Sequence, residues 1–513
     1  MKGMTCNYFG RWTAVMAVLV SLAACDSGFD ALNTDKTRQT SLEAALQLNR
    51  AINNSALNFN NLLCETTVVR QGIAPFTGVL ACANQNQDNK QLGATNWDRH
   101  FGADGIRELT DIVYNADPSS NVYHMARIWR AYAFMVLTDT YGDIPYSEAG
   151  LGYLEGIAFP KYDAQEQIYT GENGILRELA DASAAIDLSQ RADNRILLYS
   201  GDPAQWKRLG YSLLLRAAMR LSKVRPDLAQ EYVGVAVSGG VMESNADNAV
   251  IRHTADYRNP AGTALNGGEA ANYFLDEYFV EYLQANDDPR LASIAVRYPT
   301  ASNGAEQTEE NADRSPDNQI GMPQGYDNNT IVPIAQAAGL PSLYAYSQID
   351  RTRITSTTSP TFLVTYAQTQ LLLAEAVVRG WATGDPAALY RSGVEAHMHQ
   401  MADYSPASAI DQSEIDAYLA AHPFDPANAL EQINTQYWVA SFMNGPEAWA
   451  NFRRSGYPNL EPNPLRGDLE TEDFIRRFTY PDSEYSVNSE NMNAAISRQG
   501  TDNIDARIWW DVK

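Results

Sequence analysis

Apolar residues recur at intervals of three and four through most of this chain, and strictly alternating strands are few, so the pattern predicts an all-α protein. Over 123–141, Tyr123, Ile128, Ala131, Met135 and Thr138 fall near one stripe, with Arg127 and Arg130 to its side. A second amphipathic helix is expected over 205–224, where Trp206, Leu209, Leu213, Ala217 and Leu221 form the stripe and Lys207, Arg216 and Lys223 fall elsewhere. Asp202-Pro203 supplies its N-cap and a proline at the first helical position, and Pro226 stops it soon after its end.

The run 365–378 is apolar around most of its circumference, as an inner helix is, with Tyr366, Leu371, Leu372, Leu373, Ala374, Ala376 and Val377. Arg379-Gly380 ends it, and Asp385-Pro386 opens a second helix through about Met401. Small residues at Ala374, Ala376 and Ala388 let the two approach closely, which is the form of a tetratricopeptide-like hairpin. No clean repeat of about 34 residues is visible, so such units are divergent. Between the helices lie the irregular stretches 71–97, 244–269, 300–360 and 455–500, rich in Asn, Gly, Pro, Asp and Thr. Connections of that length usually carry function, so ligand contacts are expected there.

Hydrophobic residues make up 45% and charged residues 19%, which excludes disorder, collagen and coiled coil for most of the length. The net charge of −24 becomes more negative by two when residues 1–24 are removed, because they hold Lys2 and Arg11 and no acidic residue. Such a field repels nucleic-acid phosphates and anionic lipid headgroups; it is compatible with neutral or cationic ligands.

Lys2 and Arg11 precede the apolar run 12–20, too short to span a bilayer, in the order of a signal peptide. Leu22-Ala23-Ala24-Cys25 follows and resembles the bacterial lipobox, so residues 1–24 are expected to be cleaved and Cys25 lipidated. Each buried acyl methylene contributes roughly 0.8 kcal/mol, and several chains together hold a protein on a membrane. The polar stretch 25–40 suits a flexible tether, and 41–513 is expected to be a single helical body. Cys6 leaves with the signal. An oxidising compartment permits Cys64 and Cys82 to pair, although sequence does not give their separation. His397 and His399 are two apart on a predicted helix, point to different faces and read as solvated.

Several phrases then carry a resemblance. They are Leu137 to Ala149 (LTDTYGDIPYSEA), Tyr162-Asp163 with Gln165 to Tyr169, Leu213 to Ser222 (LLLRAAMRLS), Asn286 to Leu291 (NDDPRL), Leu371 to Ala376 with Gly380, Asn444 to Trp449 (NGPEAW) and Arg453-Arg454-Ser455-Gly456. In this order and behind a lipobox, the chain resembles the SusD/RagB-like nutrient-binding outer-membrane lipoproteins of Bacteroidetes. The resemblance implies about four tetratricopeptide-like hairpins with a loop-rich second half packed against them. It also implies capture of glycans or, in some members, peptides, and a TonB-dependent, SusC-like outer-membrane transporter as partner. It implies no cofactor and a lipid-anchored location on the outer membrane, facing the cell surface. Asp26 and Asp30 form a sparser acidic cluster than that family's surface-export signal usually carries.

Physically, the Leu137 to Ala149 phrase reads as a helix end and a rigid turn, with Gly142 at positive φ, Pro145 fixing the next turn and the aspartates accepting from free amides. Arg216 and Arg220 share a helix face and are expected to pair internally with acids; Glu375, costly if buried alone, is expected to pair with an arginine. Asp287-Asp288-Pro289-Arg290 reads as a turn capping a helix. A lipid-anchored glycosidase with two carboxylates is the competing reading. The sequence offers it no Gly-x-Ser-x-Gly elbow and no His-Glu-x-x-His motif.

Sugar rings present apolar faces that stack on Trp or Tyr, while their hydroxyls exchange hydrogen bonds with amides, carboxylates and guanidinium groups. The candidate ligand residues are Trp97 with Asn96 and Arg99, Tyr257, Tyr326 with Asp327, and Tyr344 with Tyr346. Trp97 has a core reading as well, since it begins a predicted helix. The oxygen-rich stretch 311–327, with Asp313, Asp317 and Asn318, lacks EF-hand spacing, and no metal is assigned to it.

Overall fold

The computed structural model describes residues 43–56, 59–102 and 104–513. Cys25 and the tether lie outside the described residues. The body from Ala44 to Lys513 is all-α, as the periodicity predicts, and is organised around four helix pairs with short connections. Helices α1 (Ile106–Asn115) and α2 (Asn121–Tyr141) are joined by 116–120, and α3 (Ile175–Ala185) packs on α2. Next come α4 (Pro203–Arg220) and α5 (Pro226–Gly239), joined by 221–225; then α6 (Tyr366–Val378) and α7 (Pro386–Tyr404), joined by 379–385; then α8 (Ala429–Ala440) and α9 (Gly445–Ser455), joined by 441–444. The series is continuous: α3 packs on α4, α4 on α6, α6 on α8, and α9 on both α2 and the Phe59–Val68 helix.

Local chemistry sets these boundaries. The Asp202 carboxylate accepts from the Gln205 amide at 2.9 Å with Pro203 opening α4, and Asp385 does the same for Ala387 ahead of Pro386 in α7. Thr365 and Gln368 form a capping box at the start of α6. Gly142 ends α2 at φ 84°, a backbone conformation that side chains rarely adopt, and its amide donates to Thr138 O at 2.8 Å. The turn is then tied by the Asp143 carboxylate, which accepts from the Gln165 amide at 2.8 Å.

The helix pairs bury Trp129, Trp206, Trp438, Trp449 and Trp510 completely. The indole N–H of Trp438 donates to Val69 O at 2.8 Å and that of Trp449 to Ile475 O at 3.0 Å, so these two rings enter the core without an orphaned donor. Internal ion pairs pin the interfaces as expected: Arg220 with Asp139 at 3.0 Å and with Glu447, Arg216 with Glu447 at 3.4 Å, and Glu375 with Arg454 at 2.7 Å and Arg379 at 2.8 Å. The 286–291 phrase is the predicted turn, with Asp287 at φ 46° and Asp288 clamping Arg290.

Some expectations need correction. His397 is buried, not solvated: its Nδ1 accepts from Arg290 Nη1 at 3.1 Å, because the Asp288–Arg290 turn packs over α7; His399 is exposed. The irregular stretches are also shorter than composition suggested, since they contain helices Lys90–Phe101, Pro260–Leu265, Ile331–Ala337, Asp482–Val487 and Ser489–Gln499. Cys64 and Cys82 form a disulfide, with Cα atoms 5.4 Å apart. Among the described residues no helix is long and apolar enough to cross a membrane.

The strands serve to gather loops. β1 (Gly72–Ile73), β2 (Ile144–Pro145), β3 (Tyr162–Asp163), β4 (Ala249–Ile251), β5 (Phe274–Leu275), β6 (Ala295–Val296), β7 (Gln348–Ile349) and β8 (Thr361–Val364) form the antiparallel pairs β1–β5, β2–β3, β4–β8 and β6–β7. In β1–β5, Gly72 faces Leu275 and Ile73 faces Phe274.

Candidate ligand-binding site

β5 is the anchor of a loop-rich lobe. Besides pairing with β1, its Leu275 amide donates to Ser347 O at 2.8 Å, and its Leu275 carbonyl accepts from the Met322 amide at 2.9 Å. Three segments distant in sequence therefore meet at this one short strand. Their apolar side chains form a satellite core of Ile73, Phe274, Met322, Ile331, Leu340 and Leu343, apart from the main one.

Three of the candidate tyrosines belong to this core. Tyr326 and Tyr344 are half-buried on it, beside the half-buried Phe76, and Tyr346 is 1% exposed. Among the described residues none hydrogen-bonds the hydroxyl of Tyr326, Tyr344 or Tyr346, whereas their backbones are firmly held. Asn84 Nδ2 donates to Tyr326 O at 2.9 Å and to Ala74 O at 3.0 Å, while Asn84 Oδ1 accepts from the Gly325 amide at 2.9 Å. Asn463 Nδ2 secures the Asn84 segment through Ala83 O and Asn84 O, both at 2.9 Å, and Gln307 Nε2 donates to Tyr344 O at 2.9 Å. The Cys64–Cys82 disulfide ties the same segment to the Phe59–Val68 helix. Burial, with smaller effects from Glu277 and Tyr326, pushes the Tyr346 hydroxyl up to about 12, so it is a hydrogen-bond donor at any physiological pH. Fixed backbones carrying aromatic faces and unengaged phenols suit the recognition of a ring bearing hydroxyls.

The other candidates lie elsewhere. Trp97 is corrected to a core residue: it is 4% exposed, with ring centroids 4.6 Å from Phe101, 5.1 Å from Tyr141 and 6.0 Å from Tyr162. Its helix, capped by Asn89, turns that face inward, so no ligand can stack on it. Asn96 is buried beside it. Arg99 Nη2 is spent on Asn54 O at 2.6 Å and Ala56 O at 2.9 Å, and burial lowers its pKa. Tyr257, 39% exposed, stacks on His253 and donates to Asn53 O at 3.1 Å, which places it and Arg99 together on the 53–56 segment. Asp327 shapes a turn, accepting from the Asn329 amide at 2.9 Å and the Thr330 amide at 2.8 Å ahead of the Ile331–Ala337 helix. Those bonds hold its pKa below the usual carboxylate value. The Tyr346 ring is interior. Phe76, which sequence reading passed over, sits in an irregular stretch with no periodicity to mark it. No group of three or more His, Cys, Asp or Glu among the described residues could hold a metal ion.

The family model described as SusD-like_2, "Starch-binding associating with outer membrane", matches residues 34–481. The chain belongs to the SusD-like family. Solved structures agree with this. A structure titled "chitin-binding protein" is 29% identical to this SusD-like protein with a TM-score of 0.78, covering 92% of this chain and 100% of its own. A Bacteroidetes AC2a SusD-like structure is 28% identical with a TM-score of 0.79 and the same coverage. A chitin-binding SusD homologue from Flavobacterium johnsoniae, 24% identical with a TM-score of 0.75 over 92% of this chain and 99% of that one, shares the fold. No curated protein matches this SusD-like chain.

Proposed function

We propose that this SusD-like protein captures oligo- or polysaccharide at the cell surface, held to the outer membrane by lipid on Cys25, and passes it to a TonB-dependent transporter. The observation that carries the reading is the gathering of Tyr326, Tyr344 and Phe76 as half-buried aromatic faces on one rigid lobe, with unengaged phenols between them. Relatives titled as chitin-binding make β-linked N-acetylglucosamine oligomers the first ligands to try. Two buried carboxylates of the helix pairs are committed to ion pairs. Arg454 and Arg379 hold Glu375 ionised against its burial, and Arg216 and Arg220 do so for Glu447, which suits ion pairs and not a general acid.

Calorimetric titration of the mature soluble form tests this. The soluble form is expected to bind chito-oligosaccharides or another neutral glycan, and Tyr326→Ala and Tyr344→Ala are each expected to weaken binding about tenfold, in line with the loss of a stacked ring. Binding to no oligosaccharide, or binding to peptides alone, overturns the reading. Release of shortened products from an incubated polysaccharide does so equally, in favour of a glycosidase.

A further inference from the structure

One polar group at the tyrosine lobe is left unspent. Glu277 opens the Glu277–Ala285 helix beside β5, and its amide donates to Met322 O at 3.0 Å, so the 320–322 segment passes directly against it. Gly321 makes this approach possible, since a Cβ there would stand 2.4 Å from Glu277 Cα. Met322, whose carbonyl the Glu277 amide meets, packs in the same satellite core as Tyr346 and Tyr326, so Glu277 borders the tyrosine lobe.

The neighbouring Asp276 shows what an engaged carboxylate looks like here. It accepts from Arg70 Nε at 2.9 Å and from the Tyr278 amide at 2.8 Å, and it is completely buried. Glu277 is half-buried, and among the described residues none donates a hydrogen bond to its carboxylate. Arg70, whose charge also acts on it, is already taken by Asp276, while Glu281, one helical turn on, adds a like charge. Burial first, and then Glu281, raise the pKa of Glu277 above the usual carboxylate value. A partly desolvated carboxylate without donors lacks hydrogen bonds that water no longer fully supplies.

We propose that Glu277 is a ligand-contacting acceptor of this lobe, taking hydrogen bonds from hydroxyls of a sugar held against Tyr326, and that its charge selects neutral over anionic glycans. The two carboxylate oxygens can accept from adjacent hydroxyls of one ring, and the same charge repels a uronate or sulfate brought to that position. The proposal rests on the reading of the tyrosine lobe as the glycan site.

The test titrates wild type, Glu277→Gln, Glu277→Lys and Tyr326→Ala with chitohexaose, maltohexaose and xylohexaose, and with an oligogalacturonate as the anionic probe; thermal melts report folding. Expected is a loss of about tenfold in affinity for the neutral oligosaccharide in Glu277→Gln, an unchanged melting temperature, and oligogalacturonate binding that improves in Glu277→Lys. If Tyr326→Ala loses binding while both Glu277 variants bind as wild type does, the assignment of Glu277 is overturned and the site stands. If Tyr326→Ala also binds normally, or the wild type binds none of the neutral probes, the site reading falls and this one with it.

Discussion

Arg454 holds Glu375 through two charge-assisted hydrogen bonds of 2.7 Å, and neither side chain reaches solvent. Arg454 comes from α9 and Glu375 from α6, with Asn434 of α8 accepting from Arg454 Nη2 at 2.8 Å, so a single buried contact joins three helices. Removing one partner strands the other. Glu375→Ala is expected to cost about 3–5 kcal/mol, the range for an orphaned buried charge, read as a shift in the urea midpoint with unchanged slope.

The same pair sets a pH dependence. Burial alone would raise the pKa of Glu375, but Arg454 and Arg379 outweigh it and hold the folded-state value at about 2, below 4.5. A depressed folded-state pKa means stability that is fully present above the unfolded value and lost as pH falls through the folded one. The contribution of Glu375 is therefore complete above pH 5 and disappears between about pH 4.5 and 2, on the order of 3 kcal/mol. Urea unfolding between pH 6 and 2.5 checks this, with Glu375→Gln expected to show the shallower decline.

Trp97→Ala separates core from site. With its ring packed among Phe101, Tyr141, Tyr162 and Tyr480, truncation is expected to cost about 3–5 kcal/mol while glycan affinity per folded molecule stays unchanged. Selective loss of affinity at full stability would restore Trp97 to the ligand set.

Asn84 has the reverse expectation. It holds the Gly325–Tyr326 backbone through both ends of its amide, so Asn84→Ala leaves buried partners unsatisfied and costs about 1–3 kcal/mol. Affinity should fall as well, because Tyr326 loses its support. Amide hydrogen exchange should rise at Gly325 first.

Gly142→Ala tests the turn. A side chain there must take φ 84° and place its Cβ 2.4 Å from Gln499 Oε1, so a loss of about 1–2 kcal/mol is expected, read from thermal melts.

Helices α4, α6 and α7 were legible because their signals are local: a stripe every three or four residues, an Asp-Pro or Thr cap and a glycine stop. The internal pairing of Arg216, Arg220 and Glu375 was legible too, since a charge on an apolar face has few affordable alternatives. The lobe was not. Tyr326, Tyr344 and Tyr346 are brought together by hydrogen bonds from Leu275 to Ser347 and from Met322 to Leu275, pairings between distant segments that leave no periodic trace. His397 was misread for the same reason, because Arg290, which covers it, lies 107 residues away. Trp97 shows the limit of residue type as a guide: a tryptophan in a polar stretch looks the same whether it faces a ligand or a core.

The Asp139 carboxylate accepts from Tyr169 Oη at 2.6 Å, from Arg220 Nε at 3.0 Å and from Trp510 Nε1 at 2.8 Å. These donors lie 30, 81 and 371 residues from it along the chain. The final turn of the chain therefore supplies a donor to an acid of the first helix pair, so losing Trp510 would leave the buried Asp139 carboxylate one hydrogen bond short.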